Sequence, residues 1–375
     1  MLNYENSFLP TVNKRSGWPC LKSMWKWILL GLFTLVCIFL LSNIRNMFMS
    51  VQPDQMRVTL EPNMSLQMLT SKLPGSQVLD EKAGLLSVPY GKAAEYIGTA
   101  STILGVFRAT TVPLEHPVIS WRYYAFHALD QARGFLHGDF GKFRTTNKKE
   151  TPVVKELPKM MLRTLTYFIP GLLLAILLSL LLALAASIWR RIGKIIDGVH
   201  VLLVGLPDFF LIVLIQLGAI YATRALGHYV LLVVQVGDRT PFLIPFLTIA
   251  LIPSVAIYGT LRIAIAREMS QDYVVTAVAK GLTRREVLVS HVLRNVLEDL
   301  LTILPKATTL ALASMAVAEA ICGIFGLGGF IISPVVQSFS SMSVICMALA
   351  LIAMAFQGFY ALLRKKFVVR TREVA

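Results

Sequence analysis

Gln271 to Asn295 reads QDYVVTAVAKGLTRREVLVSHVLRN. The stretch is polar and basic, built as two short helices in a chain that is otherwise nearly all hydrophobic, with apolar runs of membrane length on either side. A membrane protein that keeps such a segment between two spans is expected to present it to something in the cytoplasm. Asp272 stands where it can cap a first helix, through Tyr273, Val274, Ala277 and Val278, an apolar stripe at i, i+1, i+4 and i+5. Lys280 falls at the C-terminal end, where a cation suits the helix dipole, and Gly281 follows as the residue that most easily takes the left-handed conformation ending a helix. Thr283 opens a second helix with Glu286 three residues on, a capping box, flanked by Leu282 and Val287 at staple positions. That helix carries Val287, Leu288, His291, Val292 and, after a polar break, Val296. The expected shape is a helix, a one-glycine elbow and a second helix.

The rest of the composition fits a polytopic membrane protein. Of 375 residues 55% are hydrophobic and 15% charged, where a soluble chain carries about 25% charged, and the mean hydropathy is +0.66. A net charge of +15 would suggest nucleic acid in a soluble protein, but no basic-aromatic groove pattern accompanies it. Positive charge gathers in cytoplasmic loops and beside anionic lipid heads, and that is the better reading. The four cysteines, Cys20, Cys37, Cys322 and Cys346, make no C-x-x-C pair, and three lie in or beside apolar spans, so neither a disulfide framework nor a zinc site is expected.

The fold class expected is an all-α polytopic membrane protein with six transmembrane helices and an external insertion between the first two. Residues 1–26 form a cytoplasmic tail, placed inside by Lys14, Arg15, Lys22 and Lys26. Residues 27–48 hold the first span, read as an uncleaved signal anchor. Residues 49–159 are mixed in polarity and too long for a simple loop, so a small external domain or a set of packed short helices is expected, with Trp121 to Phe135 amphipathic. Residues 160–363 form a five-helix core. Its spans are Thr164 to Ile188, Val199 to Tyr221, Phe242 to Leu261, Thr308 to Ile324 and Val344 to Leu363, and its 265–302 stretch is a cytoplasmic loop. Tyr229 to Val236 is apolar but too short to cross. Residues 364–375 are a basic cytoplasmic tail, with Arg364, Lys365, Lys366, Arg370 and Arg372. The basic clusters all fall on one side, so both termini are expected inside.

The sequence offers no catalytic set. It has no G-x-x-x-x-G-K-[ST] phosphate loop, no H-E-x-x-H and no G-x-S-x-G. No metal ligand set is expected, and His127 and His137 read as surface histidines. Two carboxylates fall within spans, where an aspartate costs about 2.5–3.5 kcal/mol at the centre. Asp208 follows Pro207, a helix breaker, and is either a pathway residue meeting a peptide amine or metal cation, or a carboxylate held by released backbone groups or an arginine. Glu319 precedes a glycine-rich turn and is either at a gate on the outer side or a carboxylate near the outer interface. Gly323, Gly326, Gly328 and Gly329 are expected to permit a tight re-entrant turn or close helix contact.

The quoted segment also resembles the cytoplasmic "EAA" loop of ATP-binding-cassette (ABC) importer permeases, in the version of the oligopeptide/dipeptide/nickel group. The matching residues are Tyr273, Thr276, Ala277, Ala279, Lys280, Gly281, Leu282, Arg285, His291, Leu293, Arg294 and Asn295. The general consensus begins Glu-Ala-Ala where this chain has Val275-Thr276-Ala277. Gly138-Asp139-Phe140-Gly141 is similar to the Gly-Asp-Leu-Gly before the second span of such permeases. Glu319 with Phe325-Gly326-Leu327-Gly328 is similar to their Glu-x-x-Phe-x-x-Pro-Gly-Leu-Gly, the proline being absent. The resemblance runs from Gly134 to Arg370.

It implies a type I importer-like permease core in a bacterial cytoplasmic membrane. It also implies a second homologous permease chain, two ABC ATPase subunits and an extracytoplasmic substrate-binding protein. Membrane lipids surround the spans, nucleic acid has no part, and this chain binds no cofactor, since ATP and its magnesium belong to the ATPases. The coupling residues are then Tyr273, Thr276, Ala277, Ala279, Lys280, Gly281, Thr283, Glu286 and His291, with Tyr273, Ala277 and Gly281 at the contact itself. The pathway residues are Pro207, Asp208, Glu319, Gly326 and Gly328. Peptides lead as substrate, then nickel, then other small solutes. The alternative function is an ion-coupled secondary transporter, which internal repeats and midplane acids would favour; no repeat is evident and Asp208 is the one plausible midplane acid. A membrane-anchored scaffold is a weaker third.

Overall fold

The computed structural model describes residues 18–62, 64–144, 150–228, 231–237, 239–332 and 341–367. Lys14, Arg15, Arg370 and Arg372, on which part of the inside-terminus expectation rests, lie outside the described residues, as does the start of the short apolar Tyr229 to Val236 stretch. Among the described residues six helices have the length and apolar character to cross a bilayer, the number expected.

The first, α1 (Trp18–Ser42), runs through a 3-10 turn at Ile44–Met47 into the insertion. There the chain makes β1 (Phe48–Leu60), α2 (Leu66–Lys72), β2 (Gln77–Asp80), β3 (Leu85–Ser87), α3 (Ala93–Ala100) and β4 (Val106–Ile119). The strands form one antiparallel sheet in the order β2-β3-β1-β4. Met56, Val58 and Leu86 turn to one face of it, where Leu66, Leu69 and Leu73 of the α2 region and Ala93 and Ala100 of α3 complete a buried core. The insertion is therefore a small α/β unit rather than a set of short helices. The following α4 (Trp121–Leu136) is helical as expected, with Ser120 capping it by accepting the Tyr123 N–H. His127 departs from the surface reading. Its ring packs edge-on against Tyr123 and Phe126, and its Nε2 is buried without a hydrogen-bond partner.

A short hairpin, β5 (Lys142–Arg144) and β6 (Glu150–Pro152), leads into the helical core: α5 (Val153–Ile188), α6 (Arg190–Val204), α7 (Asp208–Leu226), α8 (Leu243–Glu268), α9 (Asp272–Ala279), α10 (Arg284–Val287), α11 (Leu293–Ile321), α12 (Leu327–Ile332) and α13 (Met342–Phe367). The centre of the core is α5 against α8. Gly171, Ala175, Ser179, Ala183 and Ser187 recur every fourth residue on α5 and are all buried, a strip of small side chains that lets two backbones come close. A Cβ at Gly171 would lie 3.0 Å from Ile249 of α8. With 36 residues, α5 is about 54 Å long at 1.5 Å per residue, far more than a hydrocarbon core of about 30 Å, so one end or both stand clear of the bilayer.

Two expected spans change their bounds. The third was placed at Val199 to Tyr221, but the helix breaks at Gly205 to Pro207. Proline has no N–H to continue the helical ladder and disfavours the helical conformation in the residue before it; Pro207 sits extended (φ −63°, ψ 145°) as the N-cap, and the span is α7, closed by Gly227 at φ 70°. The fifth was placed at Thr308 to Ile324, but α10, a π-helical turn at Leu288–Val292 and α11 run on without interruption. The polar Arg294-Asn295 pair lies inside that continuous helix. Outside the core, α1 packs on α13, with Gly31 beneath Met354 and Ser42 Oγ donating to Ser343 Oγ at 2.7 Å.

Candidate functional site

Local chemistry bends the chain at Gln271 to Asn295. Gln271 is the N-cap of α9 and makes no side-chain cap bond; Asp272, expected to cap, is instead the first helical residue, where its charge still meets the positive end of the dipole. At the far end Gly281 takes φ 86°. Its N–H reaches the Val278 carbonyl at 2.9 Å, and the Leu282 N–H reaches back to Ala277 at 3.3 Å. These two bonds are a Schellman motif. Two residues on, the Thr283 N–H donates to Glu286 Oε2 at 2.7 Å while the Glu286 N–H donates to Thr283 Oγ1 at 3.4 Å, the expected capping box. Leu282 and Val287 join the same apolar cluster, as a hydrophobic staple requires.

That cluster seats the hairpin. Val274, Ala277, Val287, Leu288, Val292 and Val296 are buried against Ile257, Leu261, Ala264 and Ile265 of α8 and Ala183 and Ala186 of α5. Polar ties reinforce the seat. Tyr273 Oη and Asn295 Nδ2 both donate to Glu268 Oε2, at 2.9 and 3.0 Å, and Arg267 bridges to Asp299 at 2.7 Å. Burial, and next the bond to the Glu268 carboxylate, holds the Tyr273 phenol above its ordinary pKa. Arg285 lies 5.6 Å over the Trp189 ring, joining the second arm to the α5–α6 corner.

The free face differs from the expected one. Of the residues placed at a partner contact, Ala277 is buried under α8 and Tyr273 is engaged with Glu268, because the helical period turns both toward the spans; only Gly281 is exposed. Val278, expected in the inward stripe, is 52% exposed, alongside Val275 at 66% and Val289 at 56%. Thr276, Ala279, Lys280, Thr283, Glu286 and His291 are exposed with them. The outward face is thus three valines among small and polar residues. The apolar residues at i and i+3, Val275 and Val278, were the available signal.

The residues expected along a pathway divide into two groups. Asp208, at the start of α7, is half-buried and its Oδ2 accepts from Ser314 Oγ of α11 at 2.7 Å. Glu319, Gly326 and Gly328 come together elsewhere, fully enclosed by this chain. Glu319 Oε1 accepts from Thr164 Oγ1 at 2.7 Å and from the Tyr167 hydroxyl, and Oε2 accepts from the Gly329 N–H at 2.8 Å. A Cβ at Gly326 would collide with the Glu319 carboxylate, and one at Gly328 with Ala316. These three residues face neighbouring helices rather than an open passage or an outer interface, because the glycines remove the side chains that would hold the turn away from α11.

Residues 175–369, over half of the chain, match the family model described as the inner membrane component of binding-protein-dependent transport systems. The chain belongs to this family. The match takes in the hairpin, Asp208 and the Glu319 turn; the sheet of the insertion precedes it. Among curated members of binding-protein-dependent systems, the glutathione transport system permease protein of Salmonella choleraesuis is 27% identical over 203 residues, 53% of this chain and 63% of that one. The oligopeptide transport system permease protein of Mycobacterium bovis is 26% identical over 243 residues, 60% of this chain and 71% of that one. The dipeptide transport system permease protein of Lactococcus lactis is 26% identical over 227 residues, 58% and 71%. The chain thus spans less than two thirds of the glutathione permease. A chain of the MetNI methionine ABC transporter, inward-facing, superposes with a TM-score of 0.47 at 14% identity, over 58% of this chain and 98% of that one.

Proposed function

We propose that this chain is a membrane-spanning subunit of an ABC importer for peptides, and that the 271–295 hairpin is where separate ATPase subunits take hold. The observation that carries the proposal is the two-sided hairpin: one face welded to α5, α8 and α11, the other offering Val275, Val278 and Val289. Exposed valines on a short polar hairpin suit a protein groove better than water. A load applied to that face has no slack to take up, since the elbow, the capping box and the Glu268 bonds fix both arms. The peptide substrate rests on the relatives, whose names speak of glutathione, oligopeptides and dipeptides.

In this reading the membrane is the bacterial cytoplasmic membrane, both termini and the hairpin are cytoplasmic, and the 49–159 region is extracytoplasmic. A second homologous permease completes the pathway, an extracytoplasmic binding protein delivers substrate, and lipid covers the outward apolar faces of the spans. ATP and magnesium act on the partners, and this chain catalyses nothing. Asp208 is the pathway acid, with Ser314 orienting a carboxylate that meets the amino group of a peptide. Membership of this family speaks against the ion-coupled carrier. Gentle detergent extraction followed by native mass spectrometry should find two ATPase chains and a sister permease on this one. Uptake that survives ATP depletion but collapses with the proton gradient would reverse the choice.

A further inference from the structure

Glu319 is fully buried, and its carboxylate ties its own helix to two others. It belongs to α11, takes hydrogen bonds from Thr164 and Tyr167 of α5, and takes another from the Gly329 N–H of α12. Thr164 Oγ1 also accepts the Leu327 N–H at 3.0 Å, and Arg163 Nη1 donates to the Phe325 carbonyl at 2.8 Å. From the other side Gln235 Oε1 accepts the Phe325 N–H at 2.9 Å. Every one of these bonds ends on the Cys322–Gly329 turn or on the carboxylate beneath it. The helix that bears Glu319 also bears the hairpin's second arm, as one run of 38 residues from Arg284 to Ile321, about 57 Å at helical rise.

We propose that Glu319 is a positioning residue for transport: the latch through which α11 carries hairpin movement to the re-entrant turn and to α5. The inference rests on the proposed function. A buried carboxylate with three donors is a strong, directional joint, and a turn in which Gly326, Gly328 and Gly329 leave no room for a Cβ cannot slip past it. With the latch intact, α5, α11 and α12 shift as one body. With it loosened, the hairpin still moves with the ATPases, but the turn stays behind.

The test uses the whole transporter in proteoliposomes, with Cys20, Cys37 and Cys346 replaced by alanine, so that Cys322, buried beside the latch, is the remaining native thiol on this chain. Glu319→Gln keeps the shape but sets an amide N–H against a donor. Tyr167→Phe removes one donor and keeps the ring, which covers the case in which Glu319→Gln does not fold. The expected result is a tenfold or greater fall in solute carried per ATP hydrolysed, ATP turnover kept within twofold, and Cys322 labelled faster by maleimide in both variants. An unchanged solute-to-ATP ratio, or Cys322 equally protected in an active variant, overturns the latch. A parent transporter whose hairpin cross-links to no ATPase overturns instead the function on which the latch depends.

Discussion

At Gly281 the backbone stands at φ 86°, and an added Cβ would have open space around it. The cost of a side chain there is therefore conformational, on the order of 1–2 kcal/mol, and largest for a β-branched residue. Gly281→Val should reach the membrane in normal amount yet lose most uptake as the elbow angle changes, while Gly281→Asn, which tolerates the left-handed conformation, should stay near wild type. Uptake normalised to membrane-inserted protein reads this directly; equal uptake by the valine form would show that the elbow angle does not matter. A second residue-scale test lies at Asp197 on α6. Arg262 donates to its carboxylate through Nε at 3.2 Å and Nη2 at 3.2 Å, and Tyr258 donates as well. The Arg262 bond, more than the others, holds this carboxyl below its ordinary pKa. The folded state thus binds the proton less readily than the unfolded chain. The pair stabilises above the ordinary carboxylate value near 3.9, and its contribution is lost as pH falls through the lowered value. Both side chains are partly exposed, 33% and 42%, so the effect is about 0–1 kcal/mol. Asp197→Asn should lower the melting temperature slightly at neutral pH, and the gap should close toward acid.

Among the elements, those readable beforehand were the ones whose causes are local. The elbow and the capping box depend on Gly281, Thr283 and Glu286 alone, and they form as expected. Pro207 was legible as a helix breaker, yet the expected third span ran through it, and the helix breaks there. Which face of the hairpin is free was not readable, because Ala277 and Tyr273 are claimed by α8, a partner distant in sequence. The strip Gly171, Ala175, Ser179, Ala183, Ser187 was present in the sequence, but it is hidden in an unbroken apolar run whose composition masks its four-residue period. The sheet was least readable. Inward alternation in β1 is interrupted between Val51 and Met56, and the β1–β4 register shifts three times along the pair. The sheet's core is nonetheless specific. Leu86 is fully buried between β1 and the two covering helices, and Leu86→Ala should cost about 2–5 kcal/mol. Hydrogen exchange should then rise within 48–119 and leave α5 and α8 protected. A matching rise in those helices would mean that the sheet and the helical core unfold together.

Over the whole molecule, the hairpin lies at one end of the longest uninterrupted helical run and Glu319 close to the other. The exposed valines, the rigid elbow and the buried carboxylate are points along one mechanical line, and the family match covers all of it. The distribution of cations is the ground for expecting the hairpin on the cytoplasmic side. That sidedness and the hairpin's contact with an ATPase can be tested together. With the native cysteines replaced and Val278→Cys introduced on the outward face, a short bifunctional cross-linker should join this chain to a nucleotide-hydrolysing subunit in inverted membrane vesicles, and a membrane-impermeant maleimide should fail to reach the thiol in intact cells. A thiol labelled from outside, or one that never joins an ATPase in an actively transporting complex, would contradict the hairpin's role as the handle of the importer.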